Sequence, residues 1–324
     1  MMSSCRQLLA ALALSATAVT ANAAFPDREL AGVIMWGAGG ATDVVARGLA
    51  PHADAALGKK IVLTNRPGGT GAISTNFVLN APADGYTLLY ATSTTMASNL
   101  ALQSNLRYDP LRDFAPVHGL FQSPLVLVVE ASRPYRSVAD LVKDAKARPG
   151  ALSFASAGSG TAPHLVGELF QSTTGVKLLH VPYKGTAPAF QDLLGGRLDV
   201  MFDYPSIMLP HIKAGKVRAL AVMSSQRLQA MPELPTIAES GYPDAALSAW
   251  SSVVAPAGTP PEVLNKLTAA VAHALRDPAV VGPSQGLGSV PFAGMGQQEL
   301  RRFIESEQKV WGDVVRRSGA TANN

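Results

Sequence analysis

The sequence predicts an α/β fold with two lobes, each a mostly parallel sheet flanked by helices. Short apolar runs alternate with amphipathic stretches, as in folds built from strand–helix repeats. Gly-rich loops follow several apolar runs, and two of these loops contain the tetrapeptide Gly-Thr-Ala-Pro, at 160–163 and 185–188. A chain of 324 residues, 47% of them apolar, has the length of about two domains. Because no low-complexity linker divides the chain, we expect the lobes to share chain crossings.

Each Gly-Thr-Ala-Pro tetrapeptide has the composition of a helix start after a tight bend. Pro is compatible with the first helical turn because the N–H that it lacks would have no partner there. The preceding Thr can cap the helix by accepting a hydrogen bond from a free N–H. A helix N-terminus attracts carboxylates and phosphates through its N–H donors and its partial positive charge. Two such ends close together predict a pocket for a small anion.

The predicted strands of the first half cover 30–36, 61–64, 87–92 and 124–130. The first strand is followed by a Gly-rich loop at 37–43 and by a helix that ends at Gly58, a natural C-cap. A turn at 65–71 and a helix through Val78 or Leu79 follow the second strand. The third strand ends in the hydroxyl residues of 92–95, and residues 108–121 are interpreted as a connecting region.

In the second half, Ser137 and Asp140 have the spacing of a capping box, which predicts a helix over 138–147. A second capping box is predicted from Thr259 to Glu262, with Pro at the first helical position. Beyond the two Gly-Thr-Ala-Pro units, the predicted strands cover 199–203, 218–224 and 248–256, and the predicted helices cover 206–215, 259–277 and 297–319.

The N-terminus has the pattern of a secretory signal peptide. Arg6 precedes an apolar run, and Ala21-Asn22-Ala23 is a small-x-small cleavage site, so we expect residues 1–23 to be removed on export to the periplasm. The only cysteine, Cys5, lies in this segment, so the mature chain would have neither a disulfide nor a thiolate. A formal charge of +4 is too mild to indicate nucleic-acid binding, and no other stretch approaches the length of a membrane span.

The motifs of the common catalytic classes are absent. The sequence has no H-E-x-x-H, no G-x-S-x-G and no P-loop, and its two dinucleotide-like glycine patterns are incomplete. Six histidines and a mature chain without cysteine argue against a structural zinc site. We therefore predict no catalytic residue, no metal and no cofactor. A secreted enzyme that uses His164 and Asp203 on an anionic substrate is the alternative, because catalytic triads are set by geometry.

The candidate binding residues lie in the loops after the strands, where ligands of open α/β sheets bind. For the first loop, at 39–43, the alternative to ligand binding is an ordinary turn in which Thr42 or Asp43 caps the helix. His164 either bonds a ligand carboxylate or lies half-buried without contacting the ligand. Lys184 either pairs with an anion or is merely exposed, and Asp203 either accepts from the ligand or caps the next helix. The predicted ligand-binding residues are Trp36, Gly39, Gly40, Thr42, Asp43, Ser93, Thr94, Ser156, Gly158, Ser159, Gly160, Thr161, His164, Tyr183, Lys184, Gly185, Thr186 and Asp203.

Several motifs resemble the Bug receptors, the TctC-type extracytoplasmic solute-binding proteins of tripartite tricarboxylate transport systems. The matching stretches are GGATDVVAR, NRPGGTG, ADGYTLL, DFAPV, SFASAGSGTAPHLVGELF, HVPYKGTAPAFQDLLGGRLDVMFD and RALAV, which together span the mature chain. The resemblance implies a type II periplasmic binding protein that closes on a small carboxylate and delivers it to a membrane permease without catalysis. It also implies a discontinuous lobe of 24–123 and 225–324, a second lobe of 124–224, and crossings near 122–125 and 223–226.

One departure from the family pattern concerns ligand choice. The family usually has a Pro-Phe or Pro-Tyr pair and another Pro before the Gly-Gly, where this chain has Met35-Trp36-Gly37-Ala38. The larger ring adds aromatic carboxylates to the di- and tricarboxylates and acidic amino acids as candidate ligands.

The expected partner protein is a membrane permease or, as the alternative, a membrane signalling protein that binds the ligand-loaded form. We expect a monomer.

Overall fold

The computed structural model describes residues 25–292 and 294–321, so the predicted signal peptide at 1–23 lies outside the described residues. The described strands form two mixed sheets, one of six strands in the order β11-β4-β10-β3-β1-β2 and one of five in the order β7-β6-β8-β5-β9. The strands of the first sheet are β1 (Leu30–Ile34), β2 (Ile61–Asn65), β3 (Thr87–Thr92), β4 (Phe114–Pro124), β10 (Ser248–Pro256) and β11 (Val290–Pro291). Those of the second are β5 (Val126–Glu130), β6 (Ser153–Ser156), β7 (Leu179–Pro182), β8 (Val200–Asp203) and β9 (Val217–Val222).

Helices flank both sheets, which confirms the predicted α/β class. A 3-10 turn over Gly69–Gly71 precedes α2, and a π-helical turn over Thr94–Ser98 precedes α3. The helices are α1 (Ala41–Leu57), α2 (Ala72–Leu79), α3 (Asn99–Leu102), α4 (Val138–Ala147), α5 (Ala162–Thr174), α6 (Thr186–Leu194), α7 (Pro205–Lys213), α8 (Pro261–Ala274), α9 (Pro278–Gly286) and α10 (Gln297–Ser318). We call the first sheet with its helices lobe 1 and the second sheet with its helices lobe 2.

Most strands of each sheet run in one direction, and the main exceptions follow the chain crossings. In lobe 1, β1 pairs in parallel with β2 and β3, whereas β10 is antiparallel to both β3 and β4. In lobe 2, β6 pairs in parallel with β7 and β8, whereas β5 is antiparallel to β8 and β9. Strands β5 and β10 are therefore reversed because the chain enters each of them directly from the other lobe.

The crossings are short and hydrogen-bonded to one another. Only Leu125 separates β4 from β5. The Met223 N–H donates to the Leu125 carbonyl (2.8 Å), and the Leu247 N–H donates to the Met223 carbonyl (3.0 Å). Leu228 and Met231 pack in the lobe 2 core, so the chain returns to lobe 1 at Ser248. The second crossing predicted near 223–226 is therefore complete only at 247–248.

Two predictions of local structure away from the site are wrong, and one helix is missing from the predictions. Residues 108–121 contain most of β4, whose alternation is broken by register shifts around Val117 and Leu120. Thr259 forms no capping box, because its hydroxyl donates to the Pro256 carbonyl and Pro260 occupies the N-cap of α8. Helix α9 was not predicted, although Asp277 caps it by accepting from the Ala279 N–H.

The C-terminal helix α10 contacts both lobes. The Gln308 side-chain amide donates to the Met96 carbonyl in lobe 1 (3.1 Å), and Arg317 donates to the Thr173 hydroxyl in lobe 2 (3.2 Å). Trp311 is buried between them in the continuous core. The helix ends at Gly319 in the left-handed conformation (φ 65°), as predicted. Within the described ranges, none of the helices combines the length and apolarity needed to cross a membrane.

Candidate functional site

The predicted site residues lie at two sheet edges. Strands β3, β1 and β2 are parallel neighbours, so their carboxyl ends place Ser93 and Trp36 at one edge of lobe 1. Strands β7, β6 and β8 are likewise parallel neighbours in lobe 2. Their carboxyl ends bring Tyr183, Ser156 and Asp203 together, as expected for ligand sites of open α/β sheets.

The two edges meet where Gly160 of lobe 2 lies against lobe 1. A side chain built at Gly160 would lie 3.4 Å from the Leu102 Cδ1 methyl and 3.4 Å from the Thr70 Cγ2 methyl. Thr70 has a φ of 51°, a strained value for a β-branched residue. Its carbonyl accepts from Asn99 (3.0 Å) and its hydroxyl from Gln103 (2.8 Å). The sequence predicts a turn at 65–71 and no site residue in it, and Asn99, Leu102 and Gln103 are likewise not among the predicted site residues, although this part of lobe 1 faces Gly160.

The loop between β1 and α1 is closed by its own carboxylate. Asp43 is almost fully buried and accepts hydrogen bonds from the Gly39 N–H, the Arg47 guanidinium and the Asn65 amide, each at 2.9 Å. Burial opposes ionisation, but these hydrogen bonds outweigh it and hold the pKa of Asp43 below its usual range. The same Asn65 amide donates to the Trp36 carbonyl. Asp43 therefore shapes the loop from inside, while Gly39 remains exposed and Trp36 partly exposed.

The loop between β6 and α5 is held by hydroxyl groups. The Thr161 hydroxyl donates to the Gly158 carbonyl (2.6 Å), so the prediction that Thr161 caps α5 is wrong. The Ser156 oxygen accepts from the Gly158 N–H (3.2 Å). Gly158 and Gly160 have φ values of 137° and 75°, which an L side chain rarely adopts. Ser159 lies between them and is partly exposed.

Two imidazoles lie beneath this loop. His164 is 1% exposed, and its Nδ1 accepts from the Gly160 N–H at 3.0 Å. Its ring stacks on that of His180 with 4.0 Å between centroids. Burial, and secondarily the neighbouring His180, lowers the pKa of His164 to about 3, while burial lowers that of His180 to about 4. His164 is thus fully buried rather than half-buried, and it hydrogen-bonds to the loop.

The loop between β7 and α6 contains an exposed lysine and a glycine at the start of the helix. The Tyr183 hydroxyl donates to the Asp192 carboxylate on α6 (2.7 Å), so its proton is already used within the protein. Lys184 is exposed. Gly185 is the N-cap of α6 with a φ of 112°, and Thr186 is the first helical residue, so Thr186 does not cap this helix.

Asp203 combines burial with an unpartnered oxygen. Its Oδ1 accepts from the Tyr204 N–H (2.7 Å), whereas its buried Oδ2 has no hydrogen-bond partner among the described residues. Burial raises the pKa of Asp203 to about 6, although the Tyr204 N–H and the neighbouring Thr186 hydroxyl oppose this. The Ser93 hydroxyl, 1% exposed on the other lobe, is likewise unpartnered in the described part of the chain. Both groups are available to a ligand that brings its own donors or acceptors.

The helix starts at the lobe 2 edge have fewer acidic groups than four other helix starts, although α2 and α3 also lack a side-chain cap and a first-turn acid. Helices α5, α6 and α7 have no side-chain cap and no acidic residue in the first turn. By contrast, α4, α8 and α10 have Asp140, Glu262 and Glu299 there, and α1 has Asp43. Helices α5 and α6 therefore keep their free N–H donors and partial positive charge for an external anion. Helix α7 begins directly after Asp203, whose Oδ1 accepts from the N–H of its N-cap residue Tyr204.

Within residues 25–292 and 294–321, no group of three or more His, Cys, Asp or Glu side chains is placed to hold a metal ion.

The fold and the paired strand edges define a two-lobed solute-binding protein of the periplasmic type. The sequence model described as the tripartite tricarboxylate transporter family receptor matches residues 45–320, and the chain belongs to this family.

Relatives agree with this assignment over nearly the whole chain. BugT of Bordetella pertussis is 39% identical over 297 residues, which cover 91% of each chain. Rpa4515 of R. palustris, solved with adipate, superposes with a TM-score of 0.86 at 36% identity and covers 92% of this chain and 99% of that one. MatC from Rhodopseudomonas palustris, solved with bound malate, has a TM-score of 0.83 at 31% identity and covers 90% and 100%.

Proposed function

We propose that this protein is a periplasmic receptor that binds a small carboxylate between its lobes and delivers it to a membrane permease, without catalysis or a cofactor. The ligand carboxylate binds at the N-termini of α5, α6 and α7, and the lobe 1 loops close over it. The similar proteins solved with adipate and malate support a dicarboxylate as the first ligand to test.

The observation that carries this proposal is the convergence on one sheet edge of three helix starts that have neither a side-chain cap nor an acid in the first turn, with Asp203 preceding only α7. Strands β7, β6 and β8 are adjacent, so neighbouring helices begin within one or two strand spacings of about 4.8 Å. No carboxylate in the first turns of these helices competes with a bound anion. A helix terminus and charge-assisted hydrogen bonds together supply on the order of 1–3 kcal/mol per contact.

Titration calorimetry of the mature protein against malate, adipate, benzoate and glutamate tests the proposal. We expect at least one aliphatic or aromatic carboxylate to bind, and an uncharged amide analogue of that ligand not to bind. Aromatic carboxylates belong in the screen because partly exposed Trp36 lies at the same lobe 1 edge as Ser93. Turnover of any bound carboxylate would instead establish an enzyme.

A matched pair of substitutions tests the location of the site. Ala187 and Ala139 are exposed, and each is the second residue of a lobe 2 helix, α6 and α4 respectively. An acidic residue there favours the helix in both cases, so both variants should fold. We expect Ala187→Asp to weaken carboxylate binding at least roughly tenfold by repulsion, and Ala139→Asp to leave it unchanged. Equal affinities of the two variants would place the site elsewhere.

A further inference from the structure

The strongest unexplained feature beside the site is a stack of three buried or half-buried rings under the β6–α5 loop. The ring of His164 lies parallel to that of His180, with a centroid distance of 4.0 Å and an interplanar angle of 12°. His180 in turn stacks on Phe154 at 4.8 Å. Gly167, one turn further along α5, leaves room for Phe154, because a side chain there would lie 2.3 Å from its Cε2 atom. The Phe154 end of the stack therefore packs closely against α5 at Gly167.

Each imidazole makes one hydrogen bond into the loop. His164 Nδ1 accepts from the Gly160 N–H, and His180 Nε2 lies 2.8 Å from the Ser156 hydroxyl oxygen. That oxygen also accepts from the Gly158 N–H. His164 thus binds the Gly160 amide directly, and His180 reaches the Gly158 amide through the Ser156 hydroxyl. Both glycines have the positive φ values that give the loop its shape. Glycine restricts its own backbone little, so these hydrogen bonds fix the orientation of the peptides.

The geometry also fixes the protonation state of His164. Because Nδ1 is an acceptor, the single proton of the neutral ring lies on Nε2, which is 3.7 Å from the Glu168 Oε1 atom. A protonated His164 would place an N–H of the ring against the Gly160 N–H. The charged or titratable groups that face the ring are Glu168 from its own helix and His180 from β7. Burial lowers the pKa values of both histidines, which agrees with neutral rings.

We infer that His164 and His180 are positioning residues of the carboxylate site: they hold the Gly158–Gly160 loop in the shape that presents its amides to the ligand, without contacting the ligand. This inference rests on the proposed function and goes beyond it, because it assigns no ligand contact to His164. It follows that a side chain with an acceptor near the position of Nδ1 should restore binding, whereas a direct hydrogen bond from the Nε2–H to the ligand would be lost in both Asn and Leu variants.

The test compares His164→Asn with His164→Leu by titration calorimetry, with the carboxylate that the wild type binds. An Asn side-chain oxygen occupies nearly the place of Nδ1, so we expect a Kd within about threefold of the wild type. His164→Leu leaves the buried Gly160 N–H unpaired, which should raise Kd by roughly tenfold or more. His118→Leu, at a buried histidine of β4 in lobe 1, serves as the control and should leave Kd unchanged.

A second measurement separates this inference from the proposed function. The Gly160 amide resonance in a ¹H–¹⁵N spectrum should shift and exchange faster with solvent in His164→Leu, but not in His164→Asn. If the wild type binds no carboxylate, the proposed function is wrong. The Gly160 amide resonance of the variants then still tests whether His164 holds the loop. Equal Kd values for the Leu variant and the wild type, or for the Asn and Leu variants, would overturn the inference. If His164→Leu does not fold, His180→Phe retains the stack, removes the Ser156 hydrogen bond and should weaken binding.

Discussion

The β1–α1 loop of lobe 1 and the β6–α5 loop of lobe 2 are both Gly-rich, but an ion pair of Asp43 with Arg47 shapes the first and neutral groups shape the second. Both are Gly-rich, both follow a parallel strand, and both precede a helix without a side-chain cap. In lobe 1, Asp43 places a buried carboxylate beside its own helix start. In lobe 2, hydroxyls and neutral imidazoles hold the loop, and the first turn has no acid. An anion site therefore depends on which polar groups shape the loop, more than on the glycines themselves.

The largest expected effect comes from moving a carboxylate into the lobe 2 loop. Ser159→Asp places a negative charge between Gly158 and Gly160, where it repels the ligand carboxylate. We expect carboxylate affinity to fall roughly 100-fold, about 2.7 kcal/mol, at low salt. The control is Ala139→Asp, at an exposed residue of α4 away from both loops, which should alter affinity less than about threefold. Calorimetry of both variants decides the comparison, and equal losses would contradict it.

The next effect concerns Asp203, the unpartnered carboxyl of the lobe 2 edge. Its pKa is raised by burial to about 6, above the value of 3.8 expected in the unfolded chain. The folded state therefore holds a proton that the unfolded state loses, and stability declines as the pH rises from 3.8 through about 6. Asp203→Asn should thus stabilise the ligand-free protein at pH 8 by about 1–3 kcal/mol and by about half as much at pH 5.

Thermal unfolding of the ligand-free Asp203→Asn variant at pH 5 and pH 8 measures this effect. The same variant should bind a ligand that donates a hydrogen bond to Asp203 more weakly. A lower Tm than the wild type at pH 8 would mean that the ionised carboxylate has a stabilising partner in the ligand-free protein.

The histidine stack predicts a pH dependence of the opposite sign. His164 stays neutral in the fold down to a pKa of about 3, whereas an unfolded histidine binds a proton near pH 6.5. Unfolding therefore takes up a proton between these values, and stability declines as the pH falls through that window, by up to about 1.4 kcal/mol per pH unit for one full proton. Tm measured from pH 7 to pH 4 should decline less in His164→Asn than in the wild type, and equal slopes would contradict this account.

The smallest expected effect concerns a capped helix away from the site. The Ser137 hydroxyl accepts from the Asp140 N–H, and the Asp140 carboxylate accepts from the Ser137 N–H, which completes the predicted capping box of α4. Ser137→Ala should lower the free energy of unfolding by about 1 kcal/mol and leave the Kd for the carboxylate unchanged. A change in Kd would show that caps outside the site influence binding, which would weaken the contrast between capped and uncapped helix starts.

Local features of this protein were predictable from short stretches of sequence. Strand β3 has the predicted bounds, 87–92, and the Ser137 capping box and the end of α10 at Gly319 were also predicted. These features depend on contacts between residues a few positions apart, so the residues that decide them lie within one window of the chain. Strand β4 was missed because its bulges at Val117 and Leu120 interrupt the alternation on which such a prediction relies.

The roles of the polar side chains depend on distant partners. Asp43 meets Asn65, 22 positions away, because β1 and β2 are neighbours in the sheet. His164 stacks on His180 because β6 and β7 are neighbours, and Gly160 meets Thr70 because the lobes face each other. The amino-acid order was enough to place glycines, hydroxyls and carboxylates at strand ends. Strand order and the contact between the lobes decided which of these polar groups form hydrogen bonds within the loops and which are left without one. A hydrogen bond requires two groups within about 3 Å, whatever their separation along the chain.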